Sequence, residues 1–340
     1  MKIATLALLA AFSAGALAQT PPPTPRPDAR PGKTPEQEVK KGAPEKKGGD
    51  TGLTGVLDEE SFARLHELTG AKAPPARGTM ITLPSSKAYL SLPEKARAPL
   101  PAVIVIHEWW GLNEHIKHWT DRLAADGYAA LAVDLYGGEV ATTREEAMKL
   151  MSAADDDAAK KVLAEAFAFL AKDERIKAKR RAVIGWCFGG GHSLRTALAE
   201  PELDAAVIYY GRLQTDPEVL KSIKAEVLGV FGNQDRGIPP ATVDEFEKGL
   251  KAAGVKHEIL RYDANHAFAN PSSGRYDAKS AGAAWKKVRA FLAKRLRPEA
   301  KGAEHAPAGE KKGRPSENEG DGKGDKKDAP KASSEGGRED

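Results

Sequence analysis

Seven residues constrain this chain more than any others. A short apolar run at 182–184 passes directly into Gly185-Trp186-Cys187-Phe188-Gly189-Gly190-Gly191. A strand that turns into a helix within so few residues leaves little room for flanking side chains, and glycine meets that steric demand. The apex residue is thereby raised above the end of the sheet, with the following backbone N–H groups directed at it. That residue is the chain's only cysteine. A helix N-terminus also favours thiolate over thiol. A buried structural cysteine is the competing reading. Small residues on both sides of the thiol favour a nucleophile instead, with a helix expected from His192.

The sequence around this turn alternates between two patterns. Apolar runs at 103–106, 129–133, 182–184, 205–209 and 227–231 read as strands covered on both faces. Segments 79–83, 88–92 and 257–260 read as further strands. Helical spacing appears between them: Ile116, Trp119 and Leu123; Val162, Phe167 and Leu170; Val243, Phe246 and Leu250; and Trp285, Val288, Phe291 and Leu292. Strands alternating with helices predict an α/β domain over 74–296, with a mostly parallel sheet and helices on both faces.

The ends of the chain differ from this domain. Lys2, an apolar stretch to Leu17 and the small-x-small site Ala16-Leu17-Ala18 predict an export signal over 1–18, cleaved before Gln19. A periplasmic or secreted location is therefore expected. Residues 19–52 and 297–340 carry Pro, Lys, Glu and Gly without apolar periodicity and are expected to be disordered. Between them, 53–73 is a short helical lead-in, with a helix at 57–68. No later segment is long and apolar enough to be expected to span a membrane. A formal net charge of +4, from 52 basic against 48 acidic residues, gives no reason to expect a nucleic-acid partner. A lone cysteine forms no internal disulfide, so the fold must stand without one. Oligomeric state is not legible.

Two positions suit the cysteine's chemistry. Asp235 follows the 227–231 strand in Gly232-Asn233-Gln234-Asp235, and His266 follows the last strand. An α/β-hydrolase fold has this chain order, nucleophile then acid then histidine. The histidine moves the thiol proton while the aspartate fixes its tautomer. Asp263 competes for the acid's role. The first buried strand ends in His107-Glu108-Trp109-Trp110-Gly111-Leu112-Asn113, a loop that faces the nucleophile turn in this fold. Backbone N–H groups of Trp109 and Phe188 are the expected oxyanion donors. Glu108, beside two tryptophans, is expected in a low-polarity pocket with a raised pKa.

Together these segments, with Asp134-Leu135-Tyr136, Tyr209-Tyr210-Gly211 and His266-Ala267-Phe268, resemble a dienelactone hydrolase over the whole 74–296 domain. The resemblance implies a Cys187, His266, Asp235 triad, assisted by Glu108. It implies hydrolysis of a small-molecule ester, lactone or thioester through an acyl-cysteine, with no cofactor and no metal. Trp110, Tyr136, Tyr210, Arg212, Phe268 and Asn270 are expected around the substrate. The family holds a substrate carboxylate with two arginines, where this chain has Gly137-Gly138 and Asn270. Neutral substrates are therefore expected to be preferred, with Arg212 the nearest compensating cation. A non-catalytic binding module, or acyl transfer to an acceptor other than water, are the alternative functions.

Overall fold

The computed structural model describes residues 76–95 and 97–297. The expected export signal, the linker, the 57–68 helix and the charged tail from 298 onward lie outside the described residues.

Eight strands form one sheet: β1 (Thr79–Thr82), β2 (Lys87–Ser91), β3 (Ala102–Ile106), β4 (Ala129–Val133), β5 (Arg181–Trp186), β6 (Ala205–Tyr209), β7 (Glu226–Gly232) and β8 (His257–Tyr262). Their spatial order is β1-β2-β4-β3-β5-β6-β7-β8. Strands β3 to β8 run parallel, and β1 and β2 add an antiparallel edge. The helices are α1 (Glu114–Ala125), α2 (Arg144–Ala153), α3 (Asp156–Lys172), α4 (Phe188–Ala199), α5 (Pro217–Leu220), α6 (Pro240–Ala252) and α7 (Ala278–Leu296).

The continuous apolar runs are explained by a sheet buried on both faces. In β3, Val103 and Val105 enter one core, with Ile116, Trp119 and Leu123 of α1 and Trp285, Val288 and Leu292 of α7. Ala102, Ile104 and Ile106 enter the opposite core, with Val162, Phe167 and Leu170 of α3 and Phe246 and Leu250 of α6. Alternation along a strand sends successive side chains to opposite faces, so a strand between two helical layers must be apolar throughout.

Three helices depart from expectation, among them the four-residue α5, which no helical spacing had marked. Helix α4 begins at Phe188, with Cys187 itself as N-cap, rather than at His192. Its glycines lie inside the first helical turn because the helix presses onto the strands. A Cβ on Gly189 would overlap the carbonyl oxygens of Ile106 and His107, and one on Gly190 would overlap that of Tyr209. Helix α2 has no apolar periodicity because Ala147 is its only buried residue. Its signal was instead the Thr143–Glu146 capping box, in which Glu146 N–H donates to Thr143 Oγ1 over 3.2 Å.

Parallel register brings the strand ends together. Ile106 of β3 lies level with Gly185 of β5, and Gly232 of β7 with Tyr262 of β8. The loops that follow therefore converge at the carboxyl end of the sheet, where open α/β sheets hold their sites.

Candidate active site

Cys187 occupies φ +53° and ψ −114°, a backbone conformation that costs a side-chain-bearing residue energy and persists only where its surroundings impose it. Its N–H donates to the Tyr209 carbonyl at 3.0 Å, and its carbonyl accepts from Gly191 N–H at 3.2 Å. These contacts, with the glycine-tight packing of α4, hold the part-exposed thiol over the sheet. Gly189→Ala should therefore destabilise the fold by about 1–3 kcal/mol through overpacking against backbone that cannot move aside. A urea midpoint unchanged from wild type would count against this packing account.

His266 and Asp235 meet behind the thiol. His266 Nδ1 lies 2.6 Å from Asp235 Oδ2. The other carboxylate oxygen accepts the Gly237 and Ile238 N–H groups, at 2.8 and 3.0 Å. Burial acts to raise the Asp235 pKa, but the bond and charge of His266 and these two N–H groups outweigh it, and the net shift is downward. Burial likewise disfavours the charged form of His266, yet Asp235 and the neighbouring Cys187 sulfur push its pKa up to about 10. Both neighbours thus favour the imidazolium, the form His266 takes once it has accepted the Cys187 proton. Asp263, the competing carboxylate, instead accepts from the Gln234 amide at 2.8 Å on the surface.

Glu108 is buried, and burial pushes its carboxyl up to about 7, partly opposed by His266 and by Asn270. The Asn270 amide donates directly to Glu108 Oε2, and Asn270 Oδ1 accepts the Ser272 N–H at 2.8 Å. The Trp109 and Phe188 N–H groups find no acceptor among the described residues.

Glu108, Trp109, Trp110, Cys187, His266 and Asn270 line a cavity of about 880 Å³, whose described lining does not include Phe188 or Asp235. Four residues expected around the substrate do not line it. Tyr136 packs instead on His107 and Phe188, with ring centroids 4.7 and 5.3 Å apart. Tyr210 is buried against His266 and Phe268, at 5.0 and 5.7 Å. Phe268 is fully enclosed in the core. Arg212 runs beside Gly191 on the flank of α4 and is exposed. A residue near a motif in sequence is carried past the site when the chain turns away or the core claims its ring.

The cavity wall gains Arg144 at the start of α2, Met151 at its end, and Arg275 before α7. Neither arginine side chain is in an ion pair with a described residue. Sequence reasoning missed them because they lie in exposed segments without periodicity. Arg144 and Met151 stand seven positions apart on α2, so they share a helix face, and the capping box fixing that helix was the available signal. Among the described residues, no group of three or more His, Cys, Asp or Glu could hold a metal ion, and no helix is long and apolar enough to cross a membrane.

Residues 86–296 match the dienelactone hydrolase family. The chain belongs to this family. It is similar to a candidate carboxymethylenebutenolidase of Methylorubrum extorquens, 33% identical over 216 residues, which span 59% of this chain and 74% of that protein. A candidate carboxymethylenebutenolidase of Escherichia coli is 34% identical over 218 residues, 59% of this chain and 79% of its own. The crystal structure of a candidate dienelactone hydrolase from Klebsiella pneumoniae superposes with a TM-score of 0.58 at 32% identity, covering 64% of this chain and 98% of that one. The family fixes the class: this is a hydrolase of the ester and lactone type on an α/β-hydrolase fold.

Proposed function

We propose that this dienelactone hydrolase relative is an exported enzyme that cleaves esters, lactones or thioesters through an acyl-cysteine on Cys187. The observation that carries the reading is the cysteine at a strained strand-to-helix apex, facing an imidazole that is itself braced by a buried carboxylate. The steps follow from the positions. The Cys187 proton passes to His266, and Sγ adds to the substrate carbonyl. The Trp109 and Phe188 N–H groups receive the oxyanion, placed for charge that develops only in the transition state. Collapse breaks the bond to the leaving group, which takes the proton from His266. Water then gives a proton to His266 while its oxygen adds to the thioester carbonyl. Collapse breaks the bond to Sγ and releases the acid, and the proton on His266 returns to the Cys187 sulfur. Export rests on the sequence of residues 1–18 alone.

The test is a panel of aryl and alkyl esters and lactones, with intact-mass analysis after rapid quenching. A burst of alcohol and an acyl adduct on the Cys187 peptide are expected. Turnover with no adduct on any substrate, and no burst, removes the covalent mechanism.

The substrate class follows from the cavity wall. The expected preference for neutral substrates rested on the absence of arginine at Gly138 and Asn270, but Arg144 and Arg275 line the cavity, and Glu108, the acidic residue among its described lining, is buried. The proposal is accordingly reversed: this hydrolase favours esters that carry a carboxylate away from the scissile bond. Both arginines are exposed, and exposed ion pairs contribute at most about 1 kcal/mol. Arg144→Ala and Arg275→Ala should each raise KM for the anionic ester roughly twofold to fivefold, leaving its neutral methyl analogue unchanged. Equal effects on both substrates would show that the arginines shape the wall without recognising charge.

A further inference from the structure

His107 is the last residue before the oxyanion loop and is completely buried, yet the mechanism above does not use it. Its ring spans two loops. Nε2 lies 3.1 Å from the backbone N–H of Leu135, after β4, and Nδ1 lies 2.6 Å from the carbonyl oxygen of Glu108. An amide N–H only donates, so Nε2 must offer its lone pair. The ring proton then sits on Nδ1 and donates to the Glu108 carbonyl. A single neutral tautomer meets both demands, whereas an imidazolium would set one N–H against another. Burial, opposed by the bond to the Glu108 carbonyl and by Asp134, lowers this histidine's pKa to about 4, so it stays neutral at the pH of the chemistry.

The Glu108 carbonyl and the Trp109 N–H belong to one peptide unit. That unit is planar and trans, so its C=O and N–H point in opposite directions. Fixing the carbonyl toward His107 therefore aims the Trp109 N–H the other way. The same carbonyl accepts a longer bond from Gly111 N–H, at 3.3 Å, which alone leaves the plane less firmly held. The imidazole also stacks on Phe188, with centroids 5.7 Å apart and planes 15° apart, and Phe188 carries the second donor. We infer that His107 is a positioning residue of the oxyanion site, orienting the Glu108–Trp109 peptide so that the Trp109 N–H faces the substrate carbonyl and registering that peptide against Phe188. The inference rests on the proposed acyl-cysteine chemistry.

His107→Phe keeps a stacking ring and removes both hydrogen bonds. His107→Gln keeps a donor and an acceptor on one amide. Each full-length variant is assayed for kcat and KM on an aryl ester, and for the rate at which iodoacetamide alkylates Cys187, a displacement in which no oxyanion forms. Loss of one oxyanion donor lowers kcat by about 10²–10³-fold. His107→Phe should fall by about 10²-fold in kcat with KM and alkylation unchanged, and His107→Gln should stay within about tenfold of wild type. A folded His107→Phe within threefold of wild type in kcat overturns the inference. So does a parallel fall in kcat and alkylation, which would place the effect on the nucleophile. If His107→Phe does not fold, His107→Gln decides. Near-wild-type kcat supports the bridge, and a hundredfold loss in the folded protein overturns it. Turnover surviving in Cys187→Ala would instead sink the acyl-cysteine mechanism, so the two failures are distinguishable.

Discussion

Cys187→Ala is expected to give a folded protein with roughly 10⁴- to 10⁶-fold lower kcat, the scale on which loss of a nucleophile acts in hydrolases whose catalytic groups work as a unit. The fold should survive because alanine keeps the Cβ and the same backbone demand at φ +53°, and the part-exposed thiol packs only at the margin of the core. Circular dichroism and a urea midpoint within about 1 kcal/mol of wild type would establish the first half, since a part-exposed sulfur contributes little burial. Residual turnover within tenfold of wild type in that folded variant would mean that another group attacks the ester.

Asp235→Asn should cost about 10⁴-fold in kcat, comparable to the same change in serine-protease triads. The reason is a count of lone pairs. Asp235 accepts three donors: the Gly237 N–H, the Ile238 N–H and the His266 Nδ1–H. Asparagine has one carbonyl oxygen. If it serves the two backbone groups, its amide N–H₂ faces His266 Nδ1, which must then become the acceptor. The imidazole proton moves to Nε2, and the ring can no longer take the proton of Cys187. Asp263→Asn, altering only the surface bond from Gln234, is the control and should leave kcat unchanged. Equal losses in both variants would point to a general effect of charge at this loop cluster instead of tautomer control.

Different parts of this protein were legible for different reasons. The strands at 103–106, 129–133, 205–209 and 227–231 lie within or coincide with β3, β4, β6 and β7, because an apolar run without alternation is what two covering layers require. Cys187, His266 and Asp235 were legible because strand ends and glycine-rich turns are written locally, and chain order assigns them places at one end of a parallel sheet. Asp263, the competing carboxylate, lies on the surface with Gln234, whereas Asp235 lies beside the imidazole.

The substrate wall was not written locally. Arg144, Met151 and Arg275 come from exposed segments on opposite sides of Cys187 in sequence, and only the folding of the loops over the sheet brings them to one cavity. Tyr136, Tyr210 and Phe268 lie in the motifs yet pack beneath or beside the site, since a large ring is stabilised most where it leaves water. The sequence by itself determined the layered fold, the tight turn at Cys187 and the order of the groups around it, because burial period and turn sterics act over a few residues. The tertiary structure alone decided which side chains line the cavity and how the peptide after Glu108 is held, because both depend on atoms that meet only once distant loops have converged.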